Sequence, residues 1–283
     1  MLVGIYDPVQ PMVAPDTTFP TLVNLRVQII RVNLDWNLIA TRKPDKPTDP
    51  ADPAYDWTSY DRVLLNANKN KIQVLFTVIG TPRWAQGKKK GINRMPSKIS
   101  SLRYFAQAAA KRYSGKFKRD DGTVLPPVRK WLAWNEPNNP VFLQPQFTRV
   151  HGKWQMTSAV AYAQICSAVY AGVHAAGGPE QVACGATAPR GYNDPNAPRQ
   201  SSSPLAFLRA VKKAGLRTFD AWAHHPYYGS PSQTPTTRNV GSHTVGLGNI
   251  DALTNELTRL YGPKHLWITE YGYQTRPPDM FFG

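Results

Sequence analysis

The sequence predicts an α/β fold, a (β/α)8 barrel, on three observations. Seven short apolar runs of the kind that form strands buried on both faces recur along the 283 residues, at 2–6, 27–33, 72–79, 130–135, 181–186, 219–224 and 266–270. Stretches with helical period lie between them, so the order is strand, helix, strand, helix throughout. The segments that follow the strands are long and rich in Pro, Gly, Ser and Asn, at 41–55, 81–98, 138–155, 187–202 and 229–248. Most returns from helix to strand are short, as at 215–218 and 262–265. A barrel that carries its function on the strand-end face has this asymmetry.

Each helix has a physical signature. Residues 101–113 are closed by Gly115, and Ser203-Pro204 opens a helix that Gly215 closes, the usual division of labour between a capping hydroxyl, a first-turn proline and a terminal glycine. Further helices fit 56–70, 157–176 and 249–261, with a short one near 18–25. An open dinucleotide-binding sheet would need a glycine-rich phosphate turn after its first strand, and Tyr6-Asp7-Pro8-Val9-Gln10 is nothing of the kind. Only seven strands are found. The expectation is a single catalytic barrel domain over 1–283, truncated after strand seven and lacking the final helix-strand-helix, with an unpaired strand edge on each side of the gap.

Composition narrows the partners. Forty-one per cent hydrophobic residues with ordinary charge content indicate a globular protein, and no apolar run reaches the length of a bilayer span. The first residues read as a strand, not as a basic segment leading into an apolar signal core. Thirty-four Lys and Arg against eighteen Asp and Glu leave a formal charge of +16, and no acid occurs from Arg62 to Arg119. Lys88-Lys89-Lys90, Lys111-Arg112 and Lys116-Phe117-Lys118-Arg119 would suit an acidic glycan or nucleic acid, although a solvated helix face is the simpler reading and no nucleic-acid-binding module accompanies the charge. Cys166 and Cys184 lack metal-ligand spacing and read as two small buried residues, with a single disulfide between them left open.

The chemistry is carried by two acids. Glu136 in Trp134-Asn135-Glu136-Pro137 and Glu270 in Ile268-Thr269-Glu270-Tyr271-Gly272 each sit where a short apolar strand runs out into a loop. Two carboxyl groups brought together from different strands are what cleavage of a glycosidic bond needs, one to protonate the leaving oxygen and one to attack the anomeric carbon or activate water against it. Either glutamate alone would read as a surface turn residue. Joint placement at strands four and seven, with His225-Pro226-Tyr227 at strand six and Arg31 on strand two, is far more specific.

These residues resemble the clan A glycoside hydrolases, and the resemblance runs over nearly the whole chain. Thr81-Pro82-Arg83-Trp84-Ala85 after strand three is similar to family thirty-nine and to bacterial cellulase-like groups. The resemblance implies an eightfold barrel, hydrolysis with retention at the anomeric carbon, a carbohydrate substrate and no metal or cofactor. It makes Glu136 the general acid/base and Glu270 the nucleophile. It gives Asn135 the sugar 2-hydroxyl, sets Arg31 to face the nucleophile, and lets His225 and Tyr227 complete that network. His224 adjoins His225, and because a strand alternates its sides only one of them can point at the site; the His-x-Tyr match selects His225. Trp36, Trp84, Tyr271 and Tyr273 near strand ends are candidates to stack on sugar rings, Trp84 first among them, whereas Trp131 and Trp222 lie mid-strand and read as core. A carbohydrate-binding barrel without turnover and a basic nucleic-acid-associated protein are the rival readings. A metal-dependent hydrolase is disfavoured, because His224, His225 and His243 lack the spacing such sites commonly show.

Overall fold

The computed structural model describes residues 1–230, 232–239 and 243–273. All seven predicted strands are present: β1 (Gly4–Tyr6), β2 (Ile29–Asp35), β3 (Gln73–Ile79), β4 (Lys130–Ala133), β5 (Gln181–Thr187), β6 (Ala221–His224) and β7 (His265–Ile268). They form one sheet in the order β1-β2-β3-β4-β5-β6-β7, and every pair whose register is described is parallel. Sequential order without a reversal is the barrel pattern; a doubly wound sheet would switch direction part-way. The six predicted helices also form, as α1 (Pro15–Asn24), α2 (Thr58–Lys69), α3 (Ile99–Arg112), α4 (Thr157–His174), α5 (Pro204–Lys213) and α6 (Asp251–Tyr261). No described helix is long and apolar enough to cross a membrane. The ends of the predicted 229–248 loop are described, but Pro231 and residues 240–242 lie outside the described residues, as do 274–283.

The chain divides into two compact units, one of residues 1–134 with 165–183 and the other of 135–164 with the chain from 184 onward. In the first, β2 shows how the barrel alternates its faces. Ile30, Val32 and Leu34 are fully buried, while Arg31, Asn33 and Asp35 occupy the opposite face. Gly4 is needed where β1 meets β2, since a Cβ there would stand 2.3 Å from the Ile29 carbonyl oxygen. An aromatic cluster fills the space under α2 and α3: Phe105 stacks between Trp36 and Trp57 at centroid distances of 5.6 and 5.7 Å. Trp36 is fully buried in it and presents no face to a sugar, so the stacking expected of this residue gives way to core packing.

Part of the basic sector is neutralised inside the same unit. Arg112 grips Asp61 with two bonds, Nε to Oδ1 at 2.9 Å and Nη2 to Oδ2 at 2.6 Å, and the Tyr113 hydroxyl donates to Oδ1 at 3.1 Å. A buried carboxylate is tolerated because it is met by a bidentate cation and a further donor. Lys111 donates to the Thr48 carbonyl, and Arg119 reaches Asp61 and Asp121. Lys88, Lys89 and Lys90 remain exposed.

In the second unit β6 and β7 pair in parallel, with α5 and α6 belonging to the same unit. Ser203 caps α5 by accepting from the Ala206 amide, with Pro204 in the first turn as its sequence predicts. Trp222 is fully buried against Phe219, as is Trp131 in the first unit against Phe76, so both mid-strand tryptophans are core. A hairpin of Thr148–Val150 with Lys153–Gln155 interrupts the loop after β4 and was not predicted. Cys166 and Cys184 are fully buried, as their sequence reading has it, and neither is a free thiol.

Candidate active site

Two strands end earlier than their apolar runs, and this is what frees the acids. β4 stops at Ala133 because Trp134 takes a positive φ of 67°, which breaks the ladder, and Glu136 follows at φ 34°. Non-glycine residues rarely occupy this region, and the strain is held by the backbone: the Glu136 amide donates to the Ala186 carbonyl at 2.9 Å, and the Asn139 amide donates to the Glu136 carbonyl at 2.9 Å. β7 likewise ends at Ile268, which leaves Thr269 and Glu270 beyond the strand.

Glu136, His225, Tyr227 and Glu270 all belong to the second unit and come together there. His225 is fully buried, its amide tied to the Thr187 carbonyl at 3.0 Å. Its Nδ1 lies 3.1 Å from Glu136 Oε1 and 3.8 Å from Glu270 Oε1, and its Nε2 lies 2.9 Å from Thr269 Oγ1. The Tyr227 hydroxyl donates to Glu270 Oε2 at 3.1 Å. Donor atoms of Glu136, His225 and Glu270 all lie within 4.8 Å of one another. Both His225 nitrogens are engaged in hydrogen bonds, so the trio has the character of an acid–base group and no cation is assigned to it.

Asn135 stands beside Glu136 and is 4 % exposed. Arg31 and Trp84 belong to the first unit. Arg31 is buried, donates from Nε to Thr77 Oγ1 at 2.8 Å and lies 4.4 Å from the centroid of the Tyr6 ring. Half-buried Trp84 donates its indole N–H to the Ala40 carbonyl at 2.7 Å and meets Trp36 edge-on. Tyr271 is exposed, and Tyr273 packs against Tyr228.

His224 is the last residue of β6, and its ring bonds to groups other than the two acids that His225 faces. Its Nε2 faces the Val245 carbonyl at 2.9 Å, an acceptor only, so Nε2 carries the hydrogen and Nδ1 accepts from the Thr187 hydroxyl at 2.8 Å. Burial, above all, lowers its pKa to about 4, with His225 adding a smaller push. The folded form therefore keeps His224 neutral while the unfolded chain takes up a proton near pH 6.5. As pH falls from about 6.5 to about 4 the unfolded state binds more protons, and stability should drop by up to about 3 kcal/mol from this group alone. Denaturant midpoints measured across that window should fall more steeply for the natural chain than for His224→Asn; parallel slopes would refute the assignment.

Sequence reasoning missed Thr269, Asn139 and Thr187. Thr269 had a signal, since it is a hydroxyl residue directly preceding the nucleophile candidate at a strand end. Asn139 had one too, an amide three residues past Glu136 in a Pro-Asn-Asn-Pro turn, where such side chains bond locally.

Neither a family model nor a curated protein matches the chain. Solved structures do. A glucosidase from Croceicoccus marinus is similar with a TM-score of 0.65 at 14% identity, over 98% of this chain and 52% of its own. A family 39 glycoside hydrolase from the gut symbiont Bacteroides cellulosilyticus WH2 is similar with a TM-score of 0.61 at 19% identity, over 96% of this chain and 49% of its own. The fold is that of a (β/α)8 barrel truncated after strand seven, with seven parallel strands among the described residues. An endo-beta-1,4-mannanase from Thermotoga petrophila shares it, with a TM-score of 0.58 at 13% identity over 98% of this chain and 62% of its own. The chain spans about half the length of the first two, and at these identities the likeness is one of fold.

Proposed function

We propose that this barrel is a retaining glycoside hydrolase that cleaves an oligo- or polysaccharide by double displacement. One observation carries the reading: Glu136 and Glu270 offer oxygens within 4.8 Å of each other, beside a buried histidine hydrogen-bonded to Glu136 and 3.8 Å from Glu270. Retaining enzymes hold their carboxyl groups about 5–5.5 Å apart, whereas inverting ones need about 6.5–9.5 Å to admit a water between acid and base. The barrel likeness to solved glycosidases supports the same class.

In the first step Glu136 gives its proton to the glycosidic oxygen as Glu270 attacks the anomeric carbon. The C–O bond breaks, the leaving sugar departs neutral, and an ester joins the substrate to Glu270. In the second step Glu136 removes a proton from water, the water oxygen attacks the same carbon, and the Glu270 carboxylate is released. Tyr227 fixes the rotamer of the attacking carboxylate, and His225 orients both acids. Asn135 is assigned the sugar 2-hydroxyl, and the roles implied by resemblance for Arg31 and Trp84 belong to the same proposal.

The test is stereochemical. Aryl glycosides and neutral and uronate-bearing oligosaccharides should be screened with the chain, and the anomer formed first followed by proton NMR. Product of unchanged anomeric configuration is expected. Inverted product would refute the retaining mechanism, and no cleavage of any substrate would refute the enzyme.

A further inference from the structure

We propose that Asn139 is a positioning residue that sets the acidity of Glu136, an inference that rests on the hydrolase reading and assigns a residue that reading does not use. The Asn139 Nδ2 donates to Glu136 Oε2 at 2.9 Å. The orientation of an amide is ordinarily ambiguous, but here its surroundings decide it. Asn139 Oδ1 accepts from the Val141 amide at 3.1 Å and from Arg199 Nη2 at 3.3 Å. Turning the amide over would set its oxygen against a carboxyl oxygen and its NH2 against two donors. The side chain is also anchored through its backbone, since its amide bonds to the Glu136 carbonyl and its own carbonyl accepts from Phe142 and Leu143.

A donor that cannot turn away stabilises the ionised carboxylate and opposes protonation of Oε2. The charged or titratable groups facing Glu136 include His225 at 3.1 Å, Glu270 within 4.8 Å and His224 behind His225, with Arg199 acting through Asn139. Glu270 opposes a second charge on Glu136, and Asn139 favours it. The asparagine therefore keeps the acid/base within reach of both its states, acid for the first step and base for the second. Arg199, from the loop after β5, polarises the amide and strengthens the donor.

The decisive measurement is a titration of the Glu136 carboxyl by carbon-13 NMR in the full chain, with Glu136→Gln to assign the signal. Asn139→Ala should raise its midpoint by about one pH unit, the worth of one charge-assisted hydrogen bond. Asn139→Asp, similar in shape but bringing a like charge, should raise it further and serves as the second variant if the alanine form folds poorly. On any glycoside the chain cleaves, the alkaline limb of the kcat/KM profile should move up with it. A merely structural role would lower thermal stability and leave the titration where it was. A Glu136 midpoint unchanged in both variants overturns the proposal, whether or not turnover is found; absence of turnover with a shifted midpoint overturns the hydrolase reading instead.

Discussion

Glu270→Ala should reduce kcat by roughly 10⁴-fold or more while leaving the fold intact, because in the proposed double displacement it removes the atom that forms the covalent bond in place of a group that merely assists. Glu270 lies past the end of β7, and its side chain is 11 % exposed, so truncation leaves a small polar recess without disturbing the core. That recess supplies a second, more specific result. Azide at high concentration should partly restore turnover of an activated aryl glycoside by entering the space the carboxylate vacated. It would attack from the nucleophile's side and give a glycosyl azide of inverted configuration. Glu136→Ala should behave differently on the same substrate. A leaving group that needs no proton still departs, so the first step survives and the second, starved of its base, becomes limiting. Azide should then intercept the glycosyl ester and give the azide of retained configuration. Two variants, one small anion and opposite stereochemistry separate the two roles. The same azide anomer from both, or no rescue of either, would refute the division of labour between Glu136 and Glu270.

The barrel was legible because parallel strands buried on both faces leave continuous apolar runs, and those runs do not depend on distant contacts. All seven were readable for that reason, and the His224/His225 choice rests on the His-x-Tyr match. Strand ends were not readable. The runs of β4 and β7 continue to 135 and 270, but pairing stops at Ala133 and Ile268, and in β4 the cause is a left-handed Trp134, a residue whose side chain gives no warning of it. The hairpin after β4 escaped because its strands are three residues each and mostly exposed, with Trp154 under Arg149 in place of a buried apolar face. Charge was misleading in a different way. The acid-free stretch begins one residue after Asp61, and it is Asp61 that takes Arg112 and Arg119 from within the stretch. A linear count assigns those cations to solvent, and the fold assigns them to a carboxylate more than fifty residues earlier in the chain. At the site, the acids were visible because each follows an apolar run, while Asn139 and Thr269 carried only weak local signals and their partners, Glu136 and His225, are set by hydrogen bonds of the fold.

Gly185→Ala should destabilise the chain by about 4 kcal/mol, an unusually large cost for adding one methyl group, and should impair the site as well. Two terms add. Gly185 has φ +97°, a conformation that costs an L-residue about 1–2 kcal/mol. A Cβ there would also fall 2.5 Å from Trp222 Cε2 and 2.6 Å from the Ala223 carbonyl oxygen, and overpacking of a filled core costs about 1–3 kcal/mol. Neither neighbour can yield, since Trp222 is fully buried and the Ala223 carbonyl belongs to β6. Gly215 separates the two terms. Its φ is also +97°, but nothing lies within 4 Å of its Cβ direction, so Gly215→Ala should cost only the conformational term, about 1 kcal/mol. The functional consequence follows from the next two residues. Ala186 accepts the Glu136 amide and Thr187 accepts the His225 amide, so any shift of the β5 backbone at Gly185 is passed to the backbones of an acid and of the histidine between the acids. Denaturant unfolding of both variants, with residual turnover of folded protein, checks the argument. Equal losses of stability in Gly185→Ala and Gly215→Ala would show that the close approach of Trp222 contributes nothing, and full activity in folded Gly185→Ala would show that β5 does not hold the acid and the histidine in place.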